Sequence, residues 1–250
     1  SPAATSPRVL LVGIDGATFR VIGPLFREGR LPNLRRIAQN GVSGPLRSHF
    51  PLLSPRVWTS IATGKSPQNH GILHWVRKNA EGALELYQSN DRKGHALWNI
   101  ATDAGLTIGV VNWLNTYPIE TVRGVVISDA ALPETLRNRE ILFAGKKRGD
   151  STLSSPEVVT FPAHWREKVA EIWEQPPLNT EFTNPFAAKT ILPPFAYVNV
   201  AKKAWDEDDQ IAKLALAVEQ EIAPNILMVL MPAIDKMSHF LWGGFDESFD

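Results

Sequence analysis

The sequence predicts an α/β fold, a mostly parallel central sheet flanked by helices with an irregular insertion or lid. Three observations predict it. Short continuous runs of branched apolar residues recur along the chain, as strands buried in a parallel sheet require. Helix-period segments alternate with them, which is the order that builds parallel sheets. Polar, acid-bearing turns follow two of the apolar runs, where open α/β sheets place their ligands.

Val9-Leu10-Leu11-Val12-Gly13-Ile14 is the first such run, a strand expected to be buried on both faces, and it ends at Asp15-Gly16. Leu31 to Gly41 reads as a helix with Asn33 as its cap, Leu34, Ile37 and Ala38 on one face, and Gly41 as its stop. Ala96 to Ala104 suggests a helix ended by Gly105. Thr107 to Val111 and Gly124 to Asp129 read as strands. Asp206 to Ile222 is a strong helix with Asp206 near its cap, and Asn225 to Met231 is the next buried strand. Residues 131–205 break this rhythm with eight prolines and little clear period. The domain reading is therefore 8–130 as the first part of an α/β domain, 131–205 as an insertion or lid, and 206–250 as its continuation.

Composition narrows the chemistry. The 250 residues carry 26 Lys+Arg and 26 Asp+Glu, so no global field draws the chain to nucleic acid or anionic membrane. There is no cysteine, which removes disulfides, thiolate nucleophiles and Cys-ligated metals. Any metal site must use His, Asp, Glu or hydroxyl oxygens. No apolar run approaches the ~20 residues of a membrane span. The small, polar start Ser1 to Pro7 lacks an initiator Met. It reads as the tail left by signal-peptide removal, pointing to a periplasmic or secreted location, or as an arbitrary chain start.

Three features could share one sheet edge. Asp15 follows the first strand. Ser54 sits in a proline-bounded turn before the helical segment Pro55 to Gly64, and a helix N-terminus offers free N–H groups to an anion. Asp235 and His239, four apart after the strand ending at Met231, lie on one face of a helical turn and can share a metal. Spacing alone supports an α/β protein with an oxygen- and nitrogen-ligated metal site. Each feature also has an ordinary structural reading, as a cap, a turn or solvated surface.

Several blocks together carry a family resemblance: Gly13-Ile14-Asp15-Gly16, Leu31-Pro32-Asn33-Leu34, Phe50-Pro51 to Ser54-Pro55, Trp58 to Pro67, His70-Gly71-Ile72, Val111 to Pro118, and Ala233 to Trp242. In order and spacing they resemble the type I phosphodiesterase/nucleotide pyrophosphatase branch of the alkaline phosphatase superfamily. The resemblance implies an alkaline phosphatase-like fold and two divalent metal ions, usually zinc, with manganese as rival. It maps Asp15 onto an early metal-ligating Asp, and Ser54 onto the nucleophile that also ligates. Asp235 and His239 fall on an Asp-x-x-x-His ligand pair. Thr59 is a nearby alternative hydroxyl.

The resemblance departs in two places. The family's later Asp-His pair and final His have no counterpart after His239 in a chain that ends at Asp250. This implies a truncated chain, poorly active alone, for which a C-terminal segment would be the missing partner. The position 21 residues after Ser54, an Asn in nucleotide pyrophosphatases, is Trp75 here. Its indole N–H, or the neighbouring His74, is the candidate substrate-binding donor. Trp58, Trp75 and Trp242 are candidate pocket walls, while Arg56 and Lys65 read as solvated and His70 as turn structure. His49, His95 and His164 read as surface or packing residues.

The expected function is a metal-dependent hydrolase of phosphate esters, chiefly phosphodiesters, through a Ser54 phospho-enzyme. The substrate would be a small-molecule, lipid or nucleotide phosphate ester. The alternatives are a phosphomonoesterase or sulfatase on the same scaffold, or a non-catalytic binding module.

Overall fold

The computed structural model describes residues 8–132, 158–178 and 195–242. Its central sheet has five strands in the order β1 (Val9–Ile14), β7 (Ile226–Met231), β4 (Ile108–Val111), β5 (Gly124–Ile127) and β6 (Thr160–Phe161). The first four are parallel, and β6 runs antiparallel to β5. Val9 pairs with Ile226 and Ile14 with Met231, so β1 and β7 end together. A separate hairpin joins β2 (Val76–Lys78) to β3 (Leu84–Leu86).

Helices cover both faces of the sheet. On one face, α6 (Trp165–Glu174) and α7 (Phe195–Ile222) bury Trp165, Val169, Ile211, Leu214 and Val218 against Val125, Ile127 and Val229. On the other, α3 (Ser54–Thr63) and α5 (Leu97–Asp103) bury Trp58, Ala62, Trp98 and Ala101 against Val110, Met228 and Leu230. Each large apolar side chain removed from water contributes about 2 kcal/mol, so the two layers hold the sheet between them. The remaining helices are α1 (Phe19–Arg27), α2 (Pro32–Gln39), the single turn α4 (Pro67–His70) and α8 (Ala233–Leu241). Among the described residues no helix is long and apolar enough to cross a membrane.

Several local expectations are corrected. Among the described residues β1 is an edge strand, with Val9, Leu10 and Val12 at 55%, 65% and 44% exposure rather than buried on both faces. Asn33 does not cap α2: Pro32 holds the first helical turn after Leu31, since its fixed φ suits that position. The long helix begins at Phe195, so Asp206 is internal and pairs with Lys202 one turn back, at 2.7 Å. Aromatic and branched residues at 195–200 hid that start from the sequence. The insertion-or-lid reading of 131–205 is not among these corrections, since 133–157 and 179–194 lie outside the described residues; its described part, 158–178, supplies a strand at the sheet edge and the core residue Trp165.

Candidate active site

The turn after β1 places Asp15 at the C-terminal edge of the sheet, its N–H bonded to the Met231 carbonyl at 2.9 Å. Two glycines of the Gly13-Ile14-Asp15-Gly16 block are required by close approach. A Cβ at Gly13 would lie 2.6 Å from the Trp58 ring of α3. Gly16 has φ +73, and a Cβ there would lie 2.7 Å from the Asp235 Cα. The turn carrying Asp15 is thus pressed directly against the first turn of α8.

Asp235 and His239 lie one turn apart on α8, with Nε2 of His239 3.3 Å from the Asp235 carboxylate. Burial, and then the charge of Asp15, push the Asp235 carboxyl above its usual range, and the His239 imidazole opposes this. The Asp15 carboxylate accepts no hydrogen bond among the described residues. Two carboxylates that repel each other beside an imidazole suit a divalent cation in kind. In number they fall short, since among the described residues no three His, Asp or Glu side chains gather to hold a metal.

Ser54 opens α3 as its first helical residue, after Leu53, which supplies no side-chain cap. The N–H groups of that turn are therefore uncapped by a side chain, and the helix dipole favours an anion there. The Ser54 hydroxyl, half-buried, has no hydrogen-bond partner among the described residues. The next turn of α3 brings Val57 and Trp58 to a cleft of about 900 Å³ that Asp15 also lines. Arg20, Arg47, His49 and Lys65 line it too.

Thr59 is 2% exposed with its hydroxyl buried and unpartnered, so it faces the core and is no nucleophile. Ser60 and His70 form a close pair, Oγ to Nε2 at 2.9 Å, but its polarity is wrong for activation. Ile72 N–H donates to Nδ1 of His70 at 3.1 Å, which leaves Nε2 as the protonated nitrogen. Nε2–H donates to Ser60, whose own hydroxyl donates to the Arg56 carbonyl at 3.0 Å. Burial holds His70 below its ordinary value and keeps it neutral. The pair braces the turn after α3.

His74 and Trp75 lie exposed in the approach to β2, where the Trp75 carbonyl accepts from Tyr87 N–H at 3.0 Å. Neither is among the residues that line the Asp15 cleft. Of the tryptophans, Trp58 lines it, and Trp242 stacks under Arg20 at 5.6 Å. Lys65 is exposed, but Arg56 is buried at 9% exposure and donates to the Phe50 carbonyl at 3.3 Å. It ties down the loop that feeds Ser54, which a lone arginine in sequence does not announce. Glu207 and Asp208 of α7, which touch α8, also went unmarked, because on a charged helix they look like solvated face.

The model of the type I phosphodiesterase/nucleotide pyrophosphatase family matches residues 9–248. The chain belongs to this family. Its fold resembles solved structures of phosphonoacetate hydrolase from Sinorhizobium meliloti 1021. The complex with phosphonoformate is 16% identical with a TM-score of 0.55, and that with phosphonoacetate 15% identical with 0.54. Each alignment covers 92% of this chain and 47% of the other, so the chain spans about half the length of these neighbours. At that identity the likeness is one of fold, a mostly parallel sheet of the alkaline phosphatase kind. No curated protein matches the chain.

Proposed function

We propose that this chain carries the nucleophile and the first metal ligands of a metal-dependent hydrolase of phosphate esters, chiefly phosphodiesters. The observation that carries the reading is the Asp235–His239 pair, 3.3 Å apart, lying against the turn that carries Asp15 at the C-terminal edge of the sheet. Membership of the phosphodiesterase family supports it.

Asp15, Asp235, His239 and the Ser54 hydroxyl would hold divalent cations, with zinc favoured by the mixed carboxylate and imidazole donors and manganese the rival. Donors outside the described residues would complete their coordination. Bound there, such cations supply the charge that lowers a hydroxyl's pKa and neutralises oxygens at phosphorus.

The protein's own part is positioning. Ser54 presents its uncommitted hydroxyl at a helix N-terminus, where α3 N–H groups can receive a phosphoryl oxygen. Ser54 Oγ gives up its proton to solvent and bonds to phosphorus as the ester's leaving oxygen departs with its electron pair and takes up a proton. Water then cleaves the phosphoserine and restores the hydroxyl, releasing a phosphomonoester from a diester. Replacing Ser54 with Ala in the protein at its natural length should lower kcat on an activated aryl phosphodiester at least about a thousandfold. Full turnover by Ser54→Ala would show that another group attacks.

A further inference from the structure

Two acids on α7 that the proposed chemistry does not use contact the helix bearing Asp235 and His239. Glu207 is 4% exposed and forms an ion pair with Lys236. Asp208, beside it and partly buried, accepts a hydrogen bond from Ala233 N–H at 3.1 Å. Ala233 is the first residue of α8, and Pro232 before it provides no side-chain cap. The free N–H groups at the start of α8 thus find a carboxylate supplied from α7, 25 positions away in sequence.

These contacts bracket Asp235. The same turn of α8 also meets Gly16, where a Cβ would lie 2.7 Å from the Asp235 Cα. The first turn of α8 is therefore held both by the turn that carries Asp15 and by the two acids of α7. Adjacent acids withdrawn from water repel each other, and well-packed apolar residues would hold two helices together as firmly.

We propose that Glu207 and Asp208 are positioning residues for the metal-ligand helix. Acting through Lys236 and Ala233 N–H, they set where the Asp235 carboxylate stands relative to Asp15. The inference rests on the reading of Asp235 and His239 as ligands.

The test uses metal-free protein at its natural length, titrated with zinc against a chromophoric chelator, with the melting temperature of each apo form measured alongside. Asp208→Ala and Lys236→Met should weaken zinc binding about 10–100-fold at temperatures where the apo forms stay folded. Asp208→Asn keeps an oxygen for Ala233 N–H and should stay near wild type. Asp235→Asn is the reference and should weaken zinc binding at least as much as Asp208→Ala. If Asp208→Ala does not fold, Lys236→Met decides. Wild-type zinc affinity in these variants, with only the apo melting temperature lowered, would overturn the positioning role while leaving the ligand reading intact. Unchanged affinity in Asp235→Asn would overturn the ligand reading, and this inference with it.

Discussion

At the scale of single residues, Asp208 is a strongly perturbed acid. Burial above all, with the charge of Glu207 added, raises its carboxyl from 3.8 to about 7, against the pull of Ala233 N–H and Lys236. The folded state holds this proton more tightly than the unfolded chain does. Its contribution is therefore most favourable below pH 3.8, and is lost as pH climbs to about 7. Asp208→Asn should then melt higher than wild type in the metal-free protein, with a gap that opens above pH 4 and levels off above 7. The shift sets an upper bound of about 4 kcal/mol on that gap. Parallel melting-temperature curves across this range would show that Asp208 is not so strained. Glycine acts at the same scale: Gly13 and Gly16 are read from sequence as parts of a motif, and the structure gives each a physical reason in Trp58 and Asp235.

At the scale of elements, α3 does two things at once. Its buried face fixes it on the sheet, and its first residue offers Ser54. Trp58 is the hinge between these roles: it lies over Gly13 of β1, meets Trp113 edge-on at 5.4 Å, and its carbonyl accepts from the Trp113 indole at 3.2 Å. Trp58→Ala should cost about 3–5 kcal/mol of stability by chemical denaturation, and lower kcat with it, because the cavity lies directly under the helix that bears Ser54. A loss under about 1 kcal/mol would mean that the Trp58 contact does not anchor α3. Strands were the most legible elements, since continuous apolar runs such as Ile226 to Met231 are unambiguous within a parallel sheet. Less legible was where α7 begins, because residues 195–205 carry no cap or acidic first turn to mark a start. The exposure of β1 was illegible too: an apolar run states that a strand wants covering, and not what covers it.

At the scale of the whole molecule, a parallel sheet between two helical layers brings the ends of β1 and β7 together, and with them Asp15 and Asp235. That juxtaposition was readable from sequence as motif spacing, because parallel strands of equal register deliver their following turns to one edge. Asp235 and His239 were legible as a pair by helical periodicity. The burial of Arg56 and Thr59 was not, since it depends on which face of α3 meets the sheet. Nor was the exposed setting of His74 and Trp75, just before the hairpin.

Under the proposed function, Asp15, Asp235 and His239 hold divalent metal for phosphoryl-ester hydrolysis. Its most direct test is the metal content of the dialysed protein at its natural length, by elemental mass spectrometry, for wild type and for Asp15→Asn and His239→Ala. Wild-type protein should hold about two zinc or manganese ions per chain, as two-metal hydrolytic sites do, and both variants fewer. Wild-type protein without divalent metal, or variants that retain the full complement, would contradict it.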